Sequence, residues 1–351
     1  MDPRILTAEL VAEAEDLGLA ACGVLRAEPY AGAERAIRER RQAGLFADMR
    51  FTMAQPERSC HPETLLRNAR SVVVAARSYA RPEPEKPGDE PRGRLPRYTR
   101  RDEYAVLRDG LRGLGEALRE RLPRCRFAVY VDSNFHVDRE AAVRAGIAVY
   151  GKNTLAITRR HGSWVVLGVL VTDAELAPTH AEPERPSWDA CGSCRRCIDA
   201  CPTGAIVADG VLDARRCLSY LSQSRLDELP FAAEFEDRVY GCDICQDVCP
   251  WNRGAERRAG ELEPDPADDA FPRLADWLES EPEALAERYR RLYVPDRDGR
   301  HLQRNARVAF LNEQRSRGES AGRPARSHGA PAASAGGDTA SASRRKSMSS
   351  P

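Results

Sequence analysis

Eight of the eleven cysteines lie between residues 191 and 249, close enough along the chain to act together. The first run has the spacing CxxCxxCxxxCP, and the second run places three cysteines before Pro250. A [4Fe-4S] cluster takes four thiolates, and in ferredoxins with two clusters the fourth cysteine of each run ligates the other run's cluster. That crossing predicts one cluster on Cys191, Cys194, Cys197 and Cys249, and a second on Cys201, Cys217, Cys242 and Cys245.

Two structural zinc sites are the alternative use of these cysteines, because zinc also binds paired CxxC units. A third cysteine at the next three-residue step and the two Cys-Pro dipeptides favour iron and sulfur. The spacing departs from a simple ferredoxin, since Cys217 lies 25 residues before Cys242. We expect the other cysteines, Cys22, Cys60 and Cys125, to be inert thiols.

Composition predicts a cytoplasmic protein with no general affinity for nucleic acid. The N-terminal residues lack the features of a signal peptide, and no run of about eighteen apolar residues predicts a membrane span. In the cytoplasm glutathione keeps thiols reduced, which favours metal ligation over disulfides. Lys+Arg and Asp+Glu are equal at 54 each, so a nucleic-acid partner must meet a local basic patch.

The elements that must position these cysteines change in character near residue 180. Before it, helical and strand patterns alternate and predict one α/β domain over residues 1–180. The patterns cover a helix and strand over 5–27, strands over 71–79, 127–133 and 164–173, and helices over 102–122 and 137–145. The Pro-rich, charged stretch 82–96 predicts an exposed loop.

Three further regions follow the α/β domain. Residues 181–256 predict a ferredoxin-like module that carries both clusters, and residues 265–313 predict a helical segment. Residues 315–351 have almost no large apolar side chain, so they predict a disordered tail.

The first domain should hold the site that receives the electrons, and its compact polar constellation lies within residues 131–168. Asp132 ends a predicted strand, where a carboxyl group with a raised pKa can donate a proton, although a helix cap is the alternative. Arg139 follows seven residues later. The turn 151–154 suits amide or phosphate groups, and we expect His136 and His161 to be surface or capping residues. No motif for a Rossmann or P-loop nucleotide site is present.

The chain resembles the epoxyqueuosine reductase family over about residues 10–312. The motifs that carry the resemblance are VDS with an arginine seven residues later, AGIAVYGKNT, HGSW, CGSCRRCIDACPTGAI, CLSYLSQS and GCDICQDVCPWN. The resemblance implies an enzyme that removes the epoxide oxygen from epoxyqueuosine at the wobble base of tRNA. It implies two cubane clusters that pass electrons to cobalamin, so the expected fold is a corrinoid-binding α/β domain, a ferredoxin-like module and a short helical C-terminal segment.

The resemblance also implies roles for individual residues. Asp132 matches the proton donor to the epoxide oxygen, and Arg139 matches a residue of the substrate pocket. The residues expected to contact the corrinoid are Arg58, Tyr98, Asp132, Lys152, Asn153, Ser219 and Asp243.

The chain departs from the family around the proposed proton donor. The family reads VDSGP followed by a Glu-Arg pair, whereas this chain reads VDSNFHVDR. Asn134 and Phe135 therefore replace Gly-Pro, and Asp138 replaces the glutamate. Tyr104 stands where the family commonly has a histidine. These changes alter the pocket wall but leave Asp132 and all eight cysteines in place.

Two basic segments are candidates for contact with tRNA. Residues 290–310 gather arginines around aromatic and polar residues, and a solvated helical face is the other interpretation. The tail takes the place of the helical repeats that some family members carry, and it either adds salt-dependent phosphate affinity or only keeps the chain in solution. Its basic residues are Arg315, Arg317, Arg323, Arg326, Arg344, Arg345 and Lys346.

Two other functions fit parts of the sequence. A reductive dehalogenase also joins a corrinoid domain to two clusters, but its respiratory members carry a twin-arginine leader, and Arg40-Arg41 here has no apolar run behind it. A two-cluster electron carrier would not bind cobalamin. We expect a monomer whose electron donor the sequence does not identify.

Overall fold

The computed structural model describes residues 2–88, 90–180 and 189–321. Its first part contains α1 (Pro3–Asp16), β1 (Ala21–Arg26), α2 (Ala31–Gln42), α3 (Pro56–Ser59), β2 (Ser71–Ser78), α4 (Glu103–Arg121), β3 (Phe127–Val131), α5 (Asp138–Arg144), β4 (Ala148–Tyr150), β5 (Ala156–Thr158) and β6 (Val165–Thr172). Every helix and strand that the sequence predicts in this region is present, with bounds shifted by a few residues.

The cysteine-rich part and the C-terminal part consist mostly of short elements. They are α6 (Arg196–Asp199), β7 (Ile206–Ala208), β8 (Val211–Leu212), α7 (Leu218–Ser222), α8 (Ile244–Asp247), α9 (Pro250–Ala259), α10 (Ala267–Ala270), α11 (Leu274–Glu279), α12 (Pro282–Arg288) and α13 (Arg300–Ala321). Short 3-10 helices lie at Pro62–Thr64, Arg97–Thr99, Asp189–Cys191, Ala214–Arg216, Ala233–Phe235 and Pro295–Arg297.

A four-stranded sheet in the order β1-β2-β6-β3 forms the centre of the first part, and every neighbouring pair is antiparallel. Helices α1 and α4 cover one face, where Leu10 and Leu111 pack with Val73. Helix α5 covers the other face, where Ala141 packs with Val72. Burial on both faces explains why β2 and β6 read as continuous apolar runs instead of alternating ones.

The stretch predicted to be an exposed loop, residues 82–96, is instead packed against the C-terminal part. Leu95 is buried with Val239, Leu274 and Trp277 in one apolar cluster. Arg94 donates to a carboxylate oxygen of Asp237 at 3.1 Å. The prediction was wrong because proline, glycine and charge mark irregular backbone but do not exclude burial when partners from a distant segment are available.

The helical C-terminal segment extends beyond its predicted end. Helix α13 continues to Ala321, so residues 315–321 are helical and not part of a disordered tail. The Ser316 hydroxyl donates to the Asn312 carbonyl at 3.1 Å, and Arg317 pairs with Glu313 one turn earlier at 3.1 Å. Such pairs stabilise a helix without large apolar side chains. Residues 322–351, with the other basic tail residues, lie outside the described residues.

The basic segment 290–310 is largely a packing element. Leu302, Ala306 and Ala309 are buried in the C-terminal apolar cluster. Arg304 is buried too, and its guanidinium donates to backbone carbonyls, among them that of Ser224 at 3.0 Å. Arg290, Arg300 and Arg307 keep exposed positions. Among the described residues, no helix combines the length and the apolarity that crossing a bilayer requires.

Candidate active site

The cysteines of the two runs lie near one another in the structure. Burial, and then the neighbouring Cys249, Cys191 and Cys194, raise the pKa of the Cys197 thiol to about 11. Burial, and then Cys242 and Cys217, raise the pKa of Cys245, to which Cys197 makes a smaller contribution. Burial also raises the pKa of Cys217, and Cys201 adds to that rise. These influences agree with the crossed sets that the spacing predicts, and the ligand sets themselves stay a prediction.

The local structure around each run is a tight turn followed by a short helix. The Cys194 amide donates to the Cys191 carbonyl at 2.9 Å, and α6 of the first run contacts α8 of the second. Within the described residues, no three His, Cys, Asp or Glu side chains have the geometry for a single metal ion. A cubane instead gives each thiolate its own iron. Metal ligation requires thiolates, so iron binding releases protons from these thiols.

The remaining cysteines lie apart from both sets. Burial raises the pKa of Cys22 and of Cys60 to about 12, and burial also raises the pKa of Cys125. A thiol with a raised pKa forms little of the nucleophilic thiolate at neutral pH. This chemistry agrees with the expectation that all three are inert.

Two motifs of the sequence, HGSW and CPWN, hold each other in place. Asn252 accepts a hydrogen bond from the Ser163 amide at 2.7 Å and donates to the Ser163 hydroxyl at 3.0 Å. Gly162 has a φ of 55°, and a Cβ there would lie 2.0 Å from the Asn252 side-chain oxygen. Glycine is therefore required at this turn. The pair fixes α9, which follows Cys249, against the strand that begins at Val165.

The turn 151–154 contacts both cysteine runs. Lys152 is buried; its ammonium group donates to the Gly192 carbonyl at 2.8 Å and pairs with Asp209 at 3.1 Å. Asn153 donates to the Cys245 carbonyl at 3.4 Å. The polar groups expected to face a cofactor are thus directed at the backbone of the cluster loops.

A cavity of about 480 Å³ lies between the segment 94–97 and the segment 240–243. Cys242 forms part of its wall, so a cluster bound there would border the cavity. The Arg97 amide donates to the Asp243 carboxylate at 2.8 Å and joins the two segments. Leu95, Pro96 and Tyr240 add apolar surface to the lining.

Asp132 follows directly after β3 and adopts a φ of 51°. A positive φ is uncommon outside glycine, although aspartate tolerates it better than most residues. Desolvation by the surrounding protein, and then the Asp138 carboxyl, raise the pKa of Asp132, while Arg108 lowers it. The residue still reaches solvent. It therefore combines access to a substrate with a tendency to keep its proton.

Tyr104 of α4 is near Asp132, Asp138 and Arg139, and the charges of all three act on its hydroxyl group. Burial and then the charges of Asp132 and Asp138 raise the pKa of Tyr104, whereas Arg139 lowers it. Burial raises the pKa of Tyr240 in the cavity wall, and the charge of Asp132 adds to that rise. Asp132 and Arg139 therefore lie close enough to Tyr104 to influence its protonation, and Tyr240 of the cavity wall interacts with both Asp132 and Tyr104, although Asp132, Arg139 and Tyr104 lie outside the cavity lining. The Arg139 guanidinium donates to the Thr154 carbonyl at 2.8 Å and remains exposed.

His136 was expected to be a surface or capping residue, and the structure corrects this. It is 1% exposed, with one ring nitrogen 3.1 Å from the Tyr30 hydroxyl and the other 2.8 Å from Asp138. The loop 132–137 turns inward here because Tyr30 supplies a buried polar partner. His161 lies in the turn before Trp164, half-buried, and burial lowers its pKa.

The other residues expected at the corrinoid are dispersed. Tyr98 packs against Tyr79, with ring centroids 6.5 Å apart, and is near enough to Tyr240 of the cavity wall to influence its pKa. Arg58 is exposed and lies over the Phe135 ring, 3.8 Å from its centroid. Ser219 follows Cys217 in α7, where its carbonyl accepts from Gln223 at 2.8 Å.

Sequence reasoning missed the residues that complete this site from distant segments. Arg97 and Tyr240 line the cavity, and Arg108 faces Asp132 from α4. Tyr240 had a signal, since it directly precedes the Gly-Cys-Asp of the second cysteine run. The other two had none, because their role depends on tertiary packing.

Two family models match the chain. The model described as "4Fe-4S double cluster binding domain" matches residues 190–252, and "Epoxyqueuosine reductase QueG, DUF1730" matches residues 59–133. The epoxyqueuosine reductase of Listeria monocytogenes is 35% identical over 312 residues, which are 87% of this chain and 80% of the relative. That of Bacillus subtilis is 33% identical over 314 residues, which are 88% and 79% of the two chains.

Solved structures of epoxyqueuosine reductases have the same fold. One, in complex with an epoxyqueuosine-modified tRNA stem loop, has a TM-score of 0.77 at 30% identity and covers 88% of this chain and 81% of that chain. The structure from Streptococcus thermophilus has a TM-score of 0.76 at 31% identity, with coverage of 87% and 81%. A Bacillus subtilis structure, with a TM-score of 0.74, 30% identity and coverage of 88% and 82%, has its catalytic aspartate loop swung out of the active site.

Proposed function

Because the chain belongs to the epoxyqueuosine reductase family, we propose that it reduces epoxyqueuosine in tRNA to queuosine. The reaction takes two electrons and two protons, opens the epoxide and releases its oxygen as water. The observation that carries the proposal is that Cys242 of the second cysteine run lies in the cavity wall, while the charge of Asp132 acts on Tyr240 of the same wall. A redox centre, an open space and a proton donor thus belong to one region of the structure.

Two [4Fe-4S] clusters supply the electrons in this proposal. The first is held by Cys191, Cys194, Cys197 and Cys249, and the second by Cys201, Cys217, Cys242 and Cys245. Cys245 of the second set is also a neighbour of Cys197 in the first set, which supports direct passage between clusters. Lys152 and Asn153 hold the two cluster loops against the first domain and so keep the clusters beside the cavity.

The cavity offers a docking surface for one side of a corrinoid and does not enclose the whole molecule. Leu95, Pro96 and Tyr240 offer apolar surface to a flat macrocycle, and Asp243 lies in the same lining. Arginines at the rim can meet amide and phosphate groups, and they share the rim with the carboxylates of Glu83, Asp247 and Glu256. Cobalamin bound there supplies a strongly reducing cobalt centre. Contacts from Arg58, Tyr98 and Ser219 stay predictions.

Asp132 acts as the proton donor in this proposal. Its raised pKa favours the protonated form more than in an ordinary aspartate, and its exposure lets a substrate oxygen approach. Arg139 binds the substrate from the first turn of α5, with its guanidinium oriented by the Thr154 carbonyl. A loop carrying Asp132 that moves, as in the Bacillus subtilis relative, would let a nucleotide enter and leave.

A tRNA with epoxyqueuosine at its wobble position is the proposed partner, as in the relative solved with a modified stem loop. The exposed arginines Arg290, Arg300 and Arg307 are candidate phosphate contacts. We place the reaction in the cytoplasm, where tRNA is modified. The protein is expected to act as a monomer, and its electron donor is unidentified.

The test is anaerobic reconstitution with iron, sulfide and cobalamin, followed by reaction with epoxyqueuosine tRNA and mass spectrometry of the nucleosides. We expect loss of one oxygen that requires both cobalamin and a reductant. Omitting cobalamin is the control. Binding of both clusters and corrinoid with an intact epoxide would show that the substrate is another reducible molecule. Clusters without corrinoid binding would indicate an electron carrier.

A further inference from the structure

A buried polar chain lies directly behind the loop that carries Asp132. The Asp138 carboxylate accepts from Nδ1 of His136 at 2.8 Å, which leaves Nε2 to accept from the Tyr30 hydroxyl at 3.1 Å. The side chain of His136 is 0% exposed and Tyr30 is 0% exposed. The Tyr30 and His136 rings meet edge to face, with centroids 5.5 Å apart. Each link of the chain therefore has a fixed geometry.

The chain is anchored to structure outside the loop. The Tyr30 amide donates to the Cys60 carbonyl at 2.8 Å, and the Val137 amide donates to the Ser59 carbonyl at 3.1 Å. The Ser59 hydroxyl in turn donates to the Thr52 carbonyl at 2.7 Å. The end of the loop 132–137 is thus tied to the segment 52–60 by a backbone bond, and the Ser59 side chain braces that segment internally. These bonds restrain the loop at a point five residues from Asp132.

We propose that His136 and Asp138 are positioning residues, which act with Tyr30 to hold the loop 132–137 inward and to keep a negative charge behind Asp132. This inference rests on the proposed function, because it assigns Asp132 as the acid. Neither residue touches the substrate in this arrangement. His136 and Asp138 lie in the VDSNFHVDR stretch, two and four residues beyond Asn134.

The charges around Asp132 and Asp138 determine how the pKa of Asp132 changes when one of these charges is removed. The charged and titratable groups near Asp132 come from three parts of the structure. They are Asp138 of α5, Arg108 and Tyr104 of α4, and Tyr240 of the cavity wall. Burial raises the pKa of Asp138, and the hydrogen bond from His136 and the charge of Arg139 oppose that rise and favour the carboxylate. A like charge behind an acid raises the pKa of that acid. Removing the Asp138 charge should therefore lower the pKa of Asp132.

The test compares Asp138→Asn and His136→Gln with Asp109→Asn in the reconstituted enzyme. Asp109 is an exposed aspartate of α4 that pairs with Arg112 at 3.4 Å, and it is not among the groups that shift the pKa of Asp132 or of Tyr30. Reduction of epoxyqueuosine tRNA is followed in single turnovers across pH. Hydrogen exchange of the backbone amides of 132–137 is measured separately, because it reports on the loop without any reaction.

We expect Asp138→Asn to move the fall in rate at high pH to a lower pH, since the protonated acid is the active form. His136→Gln should raise hydrogen exchange in the loop about tenfold or more, and Asp109→Asn should change neither the pH profile nor the hydrogen exchange. Unchanged loop exchange in His136→Gln would overturn the positioning role. A pH profile of Asp138→Asn that matches wild type would overturn the charge role. Absence of epoxide reduction by the wild-type enzyme would refute the proposed function, while the exchange result still decides the loop.

Discussion

Replacing Asp132 with asparagine removes the proposed proton donor and little else. Asparagine has nearly the same shape as aspartate and also tolerates the left-handed backbone that Asp132 adopts at a φ of 51°. Because Asp132 reaches solvent, the substitution leaves no buried polar group without a partner. The loop and the cofactor sites should therefore keep their structure.

The expected loss follows from what a positioned general acid contributes. Such a group accelerates a reaction by about 10²- to 10⁴-fold, which corresponds to about 3 to 5 kcal/mol of transition-state stabilisation. Asp132→Ala should lose a similar factor in rate. It should also lower the free energy of unfolding by about 1 kcal/mol, because alanine is less tolerant of positive φ.

The assay is a single turnover with prereduced enzyme and epoxyqueuosine tRNA, so that electron delivery does not limit the rate. Cluster and cobalamin content are measured for each variant. Asp109→Asn is the matched control, since Asp109 is an exposed aspartate of α4 that pairs with Arg112 away from the site. A rate for Asp132→Asn within about threefold of wild type, with both cofactors bound, would refute the assignment of Asp132 as the acid.

Three further predictions concern the surroundings of the site. Lys152→Met should lower the free energy of unfolding by about 2 kcal/mol, because the Gly192 carbonyl loses a charged donor. The variant should also retain the first cluster less well. Thermal unfolding measures the first effect and iron content measures the second. Trp277→Ala should cost about 3 to 5 kcal/mol in urea unfolding, since Trp277 is 0% exposed, whereas Trp251→Ala, at 37% exposed, should cost much less. Burial alone would raise the pKa of Asp237, but its arginine and lysine partners outweigh burial and lower it. The stability that Asp237 contributes is therefore present above its unfolded pKa of about 4 and lost as pH falls through the lower folded pKa. Asp237→Asn should destabilise by about 1 to 2 kcal/mol at pH 7, and a difference that persists undiminished at pH 3 would contradict this.

The sequence was a good guide wherever a local pattern determines the structure. Helical periodicity identified α4, and continuous apolar runs identified the strands β2 and β6, because both faces of these strands are buried. The fixed spacing of cysteines identified the double-cluster module, which the family model over residues 190–252 supports. The crossed ligand sets followed from chemistry alone and stay a prediction that the thiol neighbours agree with.

The sequence was a poor guide wherever a residue's role depends on a distant partner. His136 was expected at the surface, but Tyr30, 106 residues away, gives it a buried hydrogen-bond partner. The Pro-rich stretch 82–96 was expected to be exposed, but Val239 and Trp277 cover Leu95. Strand direction was also not specified, since an alternation of helices and strands is compatible with the antiparallel order that the structure has.

The hydrogen bond between Arg97 and Asp243 affects the order in which parts of the chain fold during synthesis. These residues lie 146 positions apart in the chain, yet together they close the cavity. The sheet and its helices can form from the first 180 residues, whereas the cavity wall must wait until Asp243 leaves the ribosome. Contacts between segments so far apart form late, because the intervening chain loses entropy when they meet. A nascent chain released too early would therefore carry a folded sheet with an open, nonfunctional cofactor site.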